Sequence, residues 1–151
     1  MKFLSMCRVV ALTVLLSLGA APAFAQSGSL TTTFAHDNTF AGNTFDVTPS
    51  TNLTIDSFDV NLGRFATANG TGSGDSATIA IYWRSGTSSG FQTSNAGWTL
   101  LGTAIVSAQG TNLPTNVPIG GLSLVAGQTY GIYVDLQSFG SNSLTLLYTN
   151  G

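Results

Sequence analysis

The chain has 151 residues, 43% of them hydrophobic and only 7% charged, with a formal net charge of −2. Four Lys and Arg residues in all cannot neutralise a row of phosphates, which excludes nucleic-acid binding, and the same shortage argues against anionic lipid headgroups. One cysteine and one histidine exclude a disulfide framework and leave a zinc site without ligands.

Residues 1–25 read as a cleaved secretory signal. Lys2 and Arg8 flank a basic start, Val9 to Leu18 is apolar except for Thr13 and Ser17, and Ala23-Phe24-Ala25 forms an A-x-A site. The apolar run is shorter than the roughly 20 residues a spanning helix needs. Cys7 precedes that run instead of following it, so it does not fit a lipid acceptor. We therefore expect a mature N-terminus at Gln26, one domain over residues 26–151, and no membrane span after cleavage. The destination expected is secreted: extracellular, cell surface or periplasmic. Beyond the signal the cations are Arg64 and Arg84 against six aspartates, a net charge of −4, with no cysteine and no glutamate. The core must hold such a chain together without a disulfide.

Strong helix formers are scarce after residue 25, and strand patterns recur between turn signals. Leu30 to Phe34 reads as a first strand. Phe45 to Val47, ahead of Pro49, reads as a short edge piece, because proline cannot donate to a ladder. Leu53 to Leu62 reads as one long strand with a fault. Leu53 and Ile55 share one parity while Phe58, Val60 and Leu62 share the other, which predicts a bulge or kink at Asp56-Ser57. Ala66 to Ser76 has the composition of a loop. In Ala77 to Arg84, alternation places Ala77, Ile79, Ile81 and Trp83 on one face and Thr78, Ala80, Tyr82 and Arg84 on the other.

Trp98 to Ala108 is the next strand. Its Leu100, Leu101, Ala104, Ile105 and Val106 do not alternate, which fits either burial on both faces or another bulge. Gly110 to Pro118 reads as a connection, Ile119 to Val125 as a strand, and Ala126 to Gln128 as a turn. Thr129 to Gln137 alternates, with Tyr130, Ile132, Val134 and Leu136 in and Gly131, Tyr133 and Asp135 out. Gly140 to Asn142 then turns into a last strand, Ser143 to Thr149. The pattern predicts an all-β, antiparallel, jelly-roll-like sandwich of about seven or eight strands.

Several runs together carry a resemblance: FAGNTFDV (40–47), LTIDSFDVNLG (53–63), IYWRSGTSSGF (81–91), GWTLLGTAIV (97–106), PIGGLSLVAGQTYGIYV (118–134) and LLYTNG (146–151). The chain resembles a β-sandwich module of secreted bacterial proteins, present in large surface proteins and in small exported proteins with sorting anchors. That resemblance implies no catalytic residues. Similar modules run on into further strands, so the resemblance implies either a minimal version or a fragment ending at Gly151. A fragment would have an open sheet edge that invites self-association.

Chemistry narrows to binding. His36 lies beside Asp37, but neighbours in a strand point to opposite faces and no G-x-S-x-G elbow is present. Asp56 and Asp59 make a carboxylate pair only by proximity and read more simply as solvated positions. Asp75 closes the Gly-rich run Asn69 to Asp75 and is a weak calcium candidate. Calcium wants six or more oxygens, and a single copy of the motif supplies one carboxylate. An enzyme is not expected. The aromatic residues carry the binding argument, since flat rings with nearby amides suit sugar faces. Tyr82, Arg84, Phe91, Trp98 and Tyr133 are the candidate ligand-binding residues, with Trp83 assigned to the core. The expectation is a non-enzymatic, exported structural or adhesive surface module meeting glycans or other surface proteins, with a carbohydrate-binding module as the alternative.

Overall fold

The computed structural model describes residues 34–65, 70–139 and 143–149. Among these the chain is all β, with ten strands and no helix. One antiparallel sheet has the order β1 (Asn38–Phe40), β10 (Thr145–Tyr148), β4 (Phe58–Gly63), β7 (Pro114–Val117). The other has the order β2 (Gly42–Val47), β9 (Tyr130–Phe139), β5 (Ser76–Ser85), β6 (Thr99–Ser107). A two-stranded ribbon pairs β3 (Leu53–Ile55) with β8 (Leu122–Leu124).

The two sheets share one apolar core, which makes the fold sandwich-like. Alternation decides who contributes to it. Val60, Leu62, Val117 and Leu146 come from the first sheet and Ala77, Ile79, Ile81, Ile132, Val134 and Leu136 from the second, all buried in a single cluster. Leu53 and Ile55 of the ribbon and Trp83 pack against its margin. The period-2 pattern of residues 77–84 and 129–137 therefore appears as expected, with Ile79, Ile81 and Ile132 fully buried.

The fault in Leu53 to Leu62 is a break at Asp56-Ser57. It sends β3 to the ribbon with β8 and β4 to the sheet between β10 and β7. Gly121 N–H closes the corner by donating to Ile55 O at 2.8 Å. That split, with short strands at the sheet margins, is why ten segments stand where about seven or eight were expected. In β6 a bulge skips Leu101 between the pairs Ile81–Gly102 and Tyr82–Leu100. Leu100 is 52% and Ile105 77% exposed, so the bulge, and not burial on both faces, explains the broken alternation.

Three sequence expectations change. Pro114–Val117 is a strand, not part of a connection, because proline is tolerated as the first residue of an edge strand. Ile119–Val125 shrinks to Leu122–Leu124, since Ile119 N–H turns back onto Val117 O at 2.8 Å. Phe34 is not in a strand, and the rest of the expected strand over 30–34 lies outside the described residues, as do residues 66–69 and 140–142. No helix among the described residues is long and apolar enough to cross a membrane.

Candidate binding face

The outer face of the sheet β2-β9-β5-β6 gathers the candidate residues. Register does the first part of the work. Tyr82 of β5 is paired with Tyr133 of β9, and Tyr133 in turn with Thr44 of β2. All three stand opposite the buried parity of Ile81 and Ile132. The two tyrosine rings stack with centroids 5.7 Å apart and planes 23° from parallel, an offset arrangement that ring quadrupoles favour. Tyr133 O–H donates to Asp135 Oδ1 at 3.0 Å, two residues along the same face. Gln137 Nε2 donates to Tyr82 Oη at 3.3 Å. The Tyr133 ring lies across β2, because a Cβ on Gly42 would come within 2.6 Å of its Cε2.

The β5–β6 connection, residues 86–98, folds back over this face. Asp46 of β2 holds it: Thr87 Oγ1 donates to Oδ2 at 2.6 Å and Ser88 N–H to Oδ1 at 2.7 Å. Gly131, paired with Asp46 on one side and Arg84 on the other, is what allows the approach. A Cβ there would lie 2.9 Å from Ser88 N and 3.0 Å from Arg84 Cγ. A strand-interior glycine marking a close backbone approach is the expected reading of such a position.

Once docked, the loop places its aromatics on Arg84. The guanidinium carbon sits 3.1 Å from the Phe91 ring centroid and 6.0 Å from that of Trp98. Among the described residues, Arg84 Nε and Nη1 are buried without a hydrogen-bond partner, so ring faces replace acceptors around this cation. Trp98 Nε1–H donates to Phe91 O at 3.0 Å, tying the end of the loop to its middle. Trp98 then leans on Tyr133 at 5.8 Å and 52°. Phe91, Arg84, Trp98, Tyr133 and Tyr82 form one continuous row, and each is half-buried.

Two groups on the face have shifted titration. Burial pushes the Asp46 carboxyl up, but the hydrogen bonds from Thr87 and Ser88 and the nearby Arg84 charge outweigh it, leaving the carboxyl below its usual range. Burial, then the hydrogen bond and charge of Asp135, push the Tyr133 hydroxyl up to about 12. The face therefore presents a neutral phenol and an ionised, fully engaged carboxylate at ordinary pH.

All five residues proposed from the sequence come together, though as an interlocked row and not as separate exposed rings. Trp83 packs at the core margin with Tyr130, at 6.3 Å between centroids, as its parity predicts. Asp75, the calcium candidate, has its Oδ2 2.7 Å from Arg64 Nη2. Among the described residues no group of three or more His, Cys, Asp or Glu side chains is placed to hold a metal. His36 Nδ1 is bonded to Asn112 Oδ1 at 2.7 Å, and its ring meets the Phe65 ring edge to face. Sequence reasoning missed Asp46 as the anchor of the loop, and the one available signal was the outward Gly131 within an otherwise well-filled strand. No family model matches the chain, and no curated protein or solved structure matches it either.

Proposed function

We propose that this chain is a non-enzymatic, exported structural or adhesive module of a bacterial cell surface or extracellular matrix. One observation carries the reading: among the described residues, four of the six aspartates and the one histidine are bonded within the chain's own frame. Asp46 holds the 86–98 loop, Asp59 bonds Asn116 across β4 and β7, Asp75 pairs with Arg64, Asp135 bonds Tyr133, and His36 bonds Asn112. Catalytic groups are also held by the fold, so what favours the reading is that these pairs are spread over different strands and loops and do not converge as a nucleophile, base and orienting group would. The proposed architecture is a jelly roll. Setting the β3·β8 ribbon aside, the remaining strands follow the order first, eighth, third, sixth in one sheet and second, seventh, fourth, fifth in the other, which supports that reading. Sedimentation velocity of the exported protein over a wide concentration range is the test. Reversible self-assembly, or retention on whole cells without hydrolysis of ester, peptide or glycoside probes, is expected. His36-dependent hydrolysis would sink the proposal.

The second reading is a carbohydrate-binding module, and the assembled row of Tyr82, Tyr133, Trp98, Arg84 and Phe91 favours it. Neutral ring faces beside amide and hydroxyl groups suit the C–H faces and hydroxyls of a sugar. Polysaccharide retention that disappears in Tyr82→Ala with an unchanged thermal melt is the expected result for this reading.

A further inference from the structure

Where the aromatic row meets the edge of the sandwich there is a cleft of about 240 Å³. Its walls come from parts of the chain far apart in sequence: Phe40 of β1, Asn43 and Thr44 of β2, Tyr133 of β9, Tyr148 of β10, and Gln92 of the 86–98 loop. The sheet topology explains the gathering. β1 pairs with β10 at the edge of one sheet, Phe40 against Leu146 and Asn38 against Tyr148, so Phe40 and Tyr148 lie diagonally on one face. After Ala41 the chain crosses to become the edge strand β2 of the other sheet, beside β9. The docked loop then supplies Gln92 as the remaining wall. Gly90 N–H donates to Gln92 Oε1 at 2.9 Å, which fixes the amide and leaves its N–H₂ as the donor side.

The chemistry of the lining selects a ligand class. No lining residue carries a formal charge, and the nearby Asp135 carboxylate accepts from the Tyr133 hydroxyl, so a bound anion would lose its hydration without a counter-charge. A purely apolar ligand would cover the Asn43 and Gln92 amides and leave them unpaired, at a cost that hydrogen-bonding groups do not tolerate well. A neutral polyol ring meets both conditions. Its C–H face covers Phe40, Tyr133 or Tyr148, and its hydroxyls engage the two amides and Thr44. Phe40 is 67% exposed, so its ring is open to a ligand at the rim. The volume is below the roughly 300–1,000 Å³ of drug-sized pockets, so a single ring unit fits and the rest of a chain continues over the open side.

We infer that this cleft seats one neutral sugar residue of a glycan. The inference rests on the carbohydrate-binding reading and relocates its contacts. Phe91, Arg84 and Trp98 stack on one another and do not line the cleft, so they support the loop and do not touch the ligand. Tyr133 belongs to both the row and the cleft. Gly42, with no side chain beneath that ring, lets it lie close against β2 as the shared wall.

The test is native affinity electrophoresis of the exported protein in gels containing laminarin, mannan or xylan as neutral probes and polygalacturonate as an anionic one. At least one neutral polysaccharide should retard the protein and polygalacturonate should not. Phe40→Ala and Gln92→Ala, each with an unchanged thermal melt, should weaken retardation by about tenfold. Retardation by polygalacturonate as strong as by any neutral probe overturns the inference, as does wild-type retardation in both cleft variants. If Tyr82→Ala abolishes retardation while both cleft variants bind normally, the carbohydrate-binding reading stands and the cleft is the wrong seat. Absence of retardation by every neutral probe overturns both.

Discussion

The outer faces of the two sheets are each covered in part by a returning segment, and these segments are held in opposite ways. On the sheet β1-β10-β4-β7, the stretch around Phe34 to His36 lies over Asn61, whose side chain is 7% exposed. Asn61 Nδ2–H donates to Phe34 O at 2.6 Å and Asn61 Oδ1 accepts from Asn112 N–H at 2.9 Å, while Asn112 Oδ1 takes His36. On the sheet β2-β9-β5-β6, the 86–98 loop is held by one aspartate and then by stacked rings around Arg84. A buried amide network admits one geometry and uses its hydrogen-bonding capacity internally. Stacked rings lock less tightly and leave edges and faces half-exposed. The difference teaches which side of the molecule has chemistry left for another molecule.

The strongest way to break that contrast is at the amide network. Asn61→Ala leaves the Phe34 carbonyl and the Asn112 N–H without their partner in a nearly dry site. A buried unpaired group costs about 1–3 kcal/mol, so the variant should lose about 3 kcal/mol. The urea midpoint measures it, and a loss under about 1 kcal/mol would mean that this face is not held by Asn61. The aromatic face should respond next to Gly131→Ala. The new Cβ meets backbone, Ser88 N at 2.9 Å, and not the mobile end of a side chain. Overpacking of this kind costs about 2 kcal/mol. In a Trp83→Phe background, Trp98 emission should shift red and become more accessible to acrylamide as the loop lifts. An unchanged spectrum with lowered stability would place the strain elsewhere.

Asp46→Asn sharpens the comparison because it loosens the loop without touching the rings. The anchor is solvent-accessible, so the loss should be about 1 kcal/mol near neutral pH. The pH dependence gives the sign. The folded carboxyl titrates below its unfolded value of about 3.9, so its stabilisation is present above that value. It disappears as pH falls through the lower folded value. Acid titration of both proteins should therefore converge at low pH, and a gap that persists there would show that the carboxylate charge is not what holds Thr87 and Ser88.

The face assignment of Tyr82, Arg84 and Tyr133 was legible because strand alternation is a local property. Phe91 and Trp98 stood out as large rings in a Gly/Ser-rich connection. Their meeting was not legible, since it depends on β9 lying beside β5 and on the loop folding back. Asp46 and Thr87 are 41 residues apart, and nothing local tells an outward aspartate that a loop will return to it. Asn61 misleads in the same way. Its outward parity reads as solvated, and only the return of the chain near Phe34 buries it. The cleft was the least legible feature, because Phe40 and Tyr148 come to line it together only through pairing of the first and last described strands. The jump in residue 53–62 parity, by contrast, marked the Asp56-Ser57 corner accurately.

The smallest effect concerns the wall shared by the row and the cleft. Tyr133 keeps its proton in the folded protein up to about 12, whereas an unfolded tyrosine releases it near about 10. Between those values the folded state binds the proton that the unfolded state has lost, so stability falls as pH rises through that window. Tyr133→Phe keeps the ring stacked on Tyr82 and removes only the hydroxyl and its bond to Asp135. At neutral pH the variant should be less stable by about 0.5–1.5 kcal/mol, one ordinary hydrogen bond. Denaturant titrations repeated from neutral to strongly alkaline pH should show this gap narrowing once the unfolded tyrosine begins to ionise. A gap that stays constant to pH 12 would mean that Asp135 and burial do not act on this hydroxyl. In that case the cleft wall would lose its proton with the unfolded chain's tyrosines. A neutral-ligand site would then carry a charge at its centre in alkali, and sugar retention should fall over the same range.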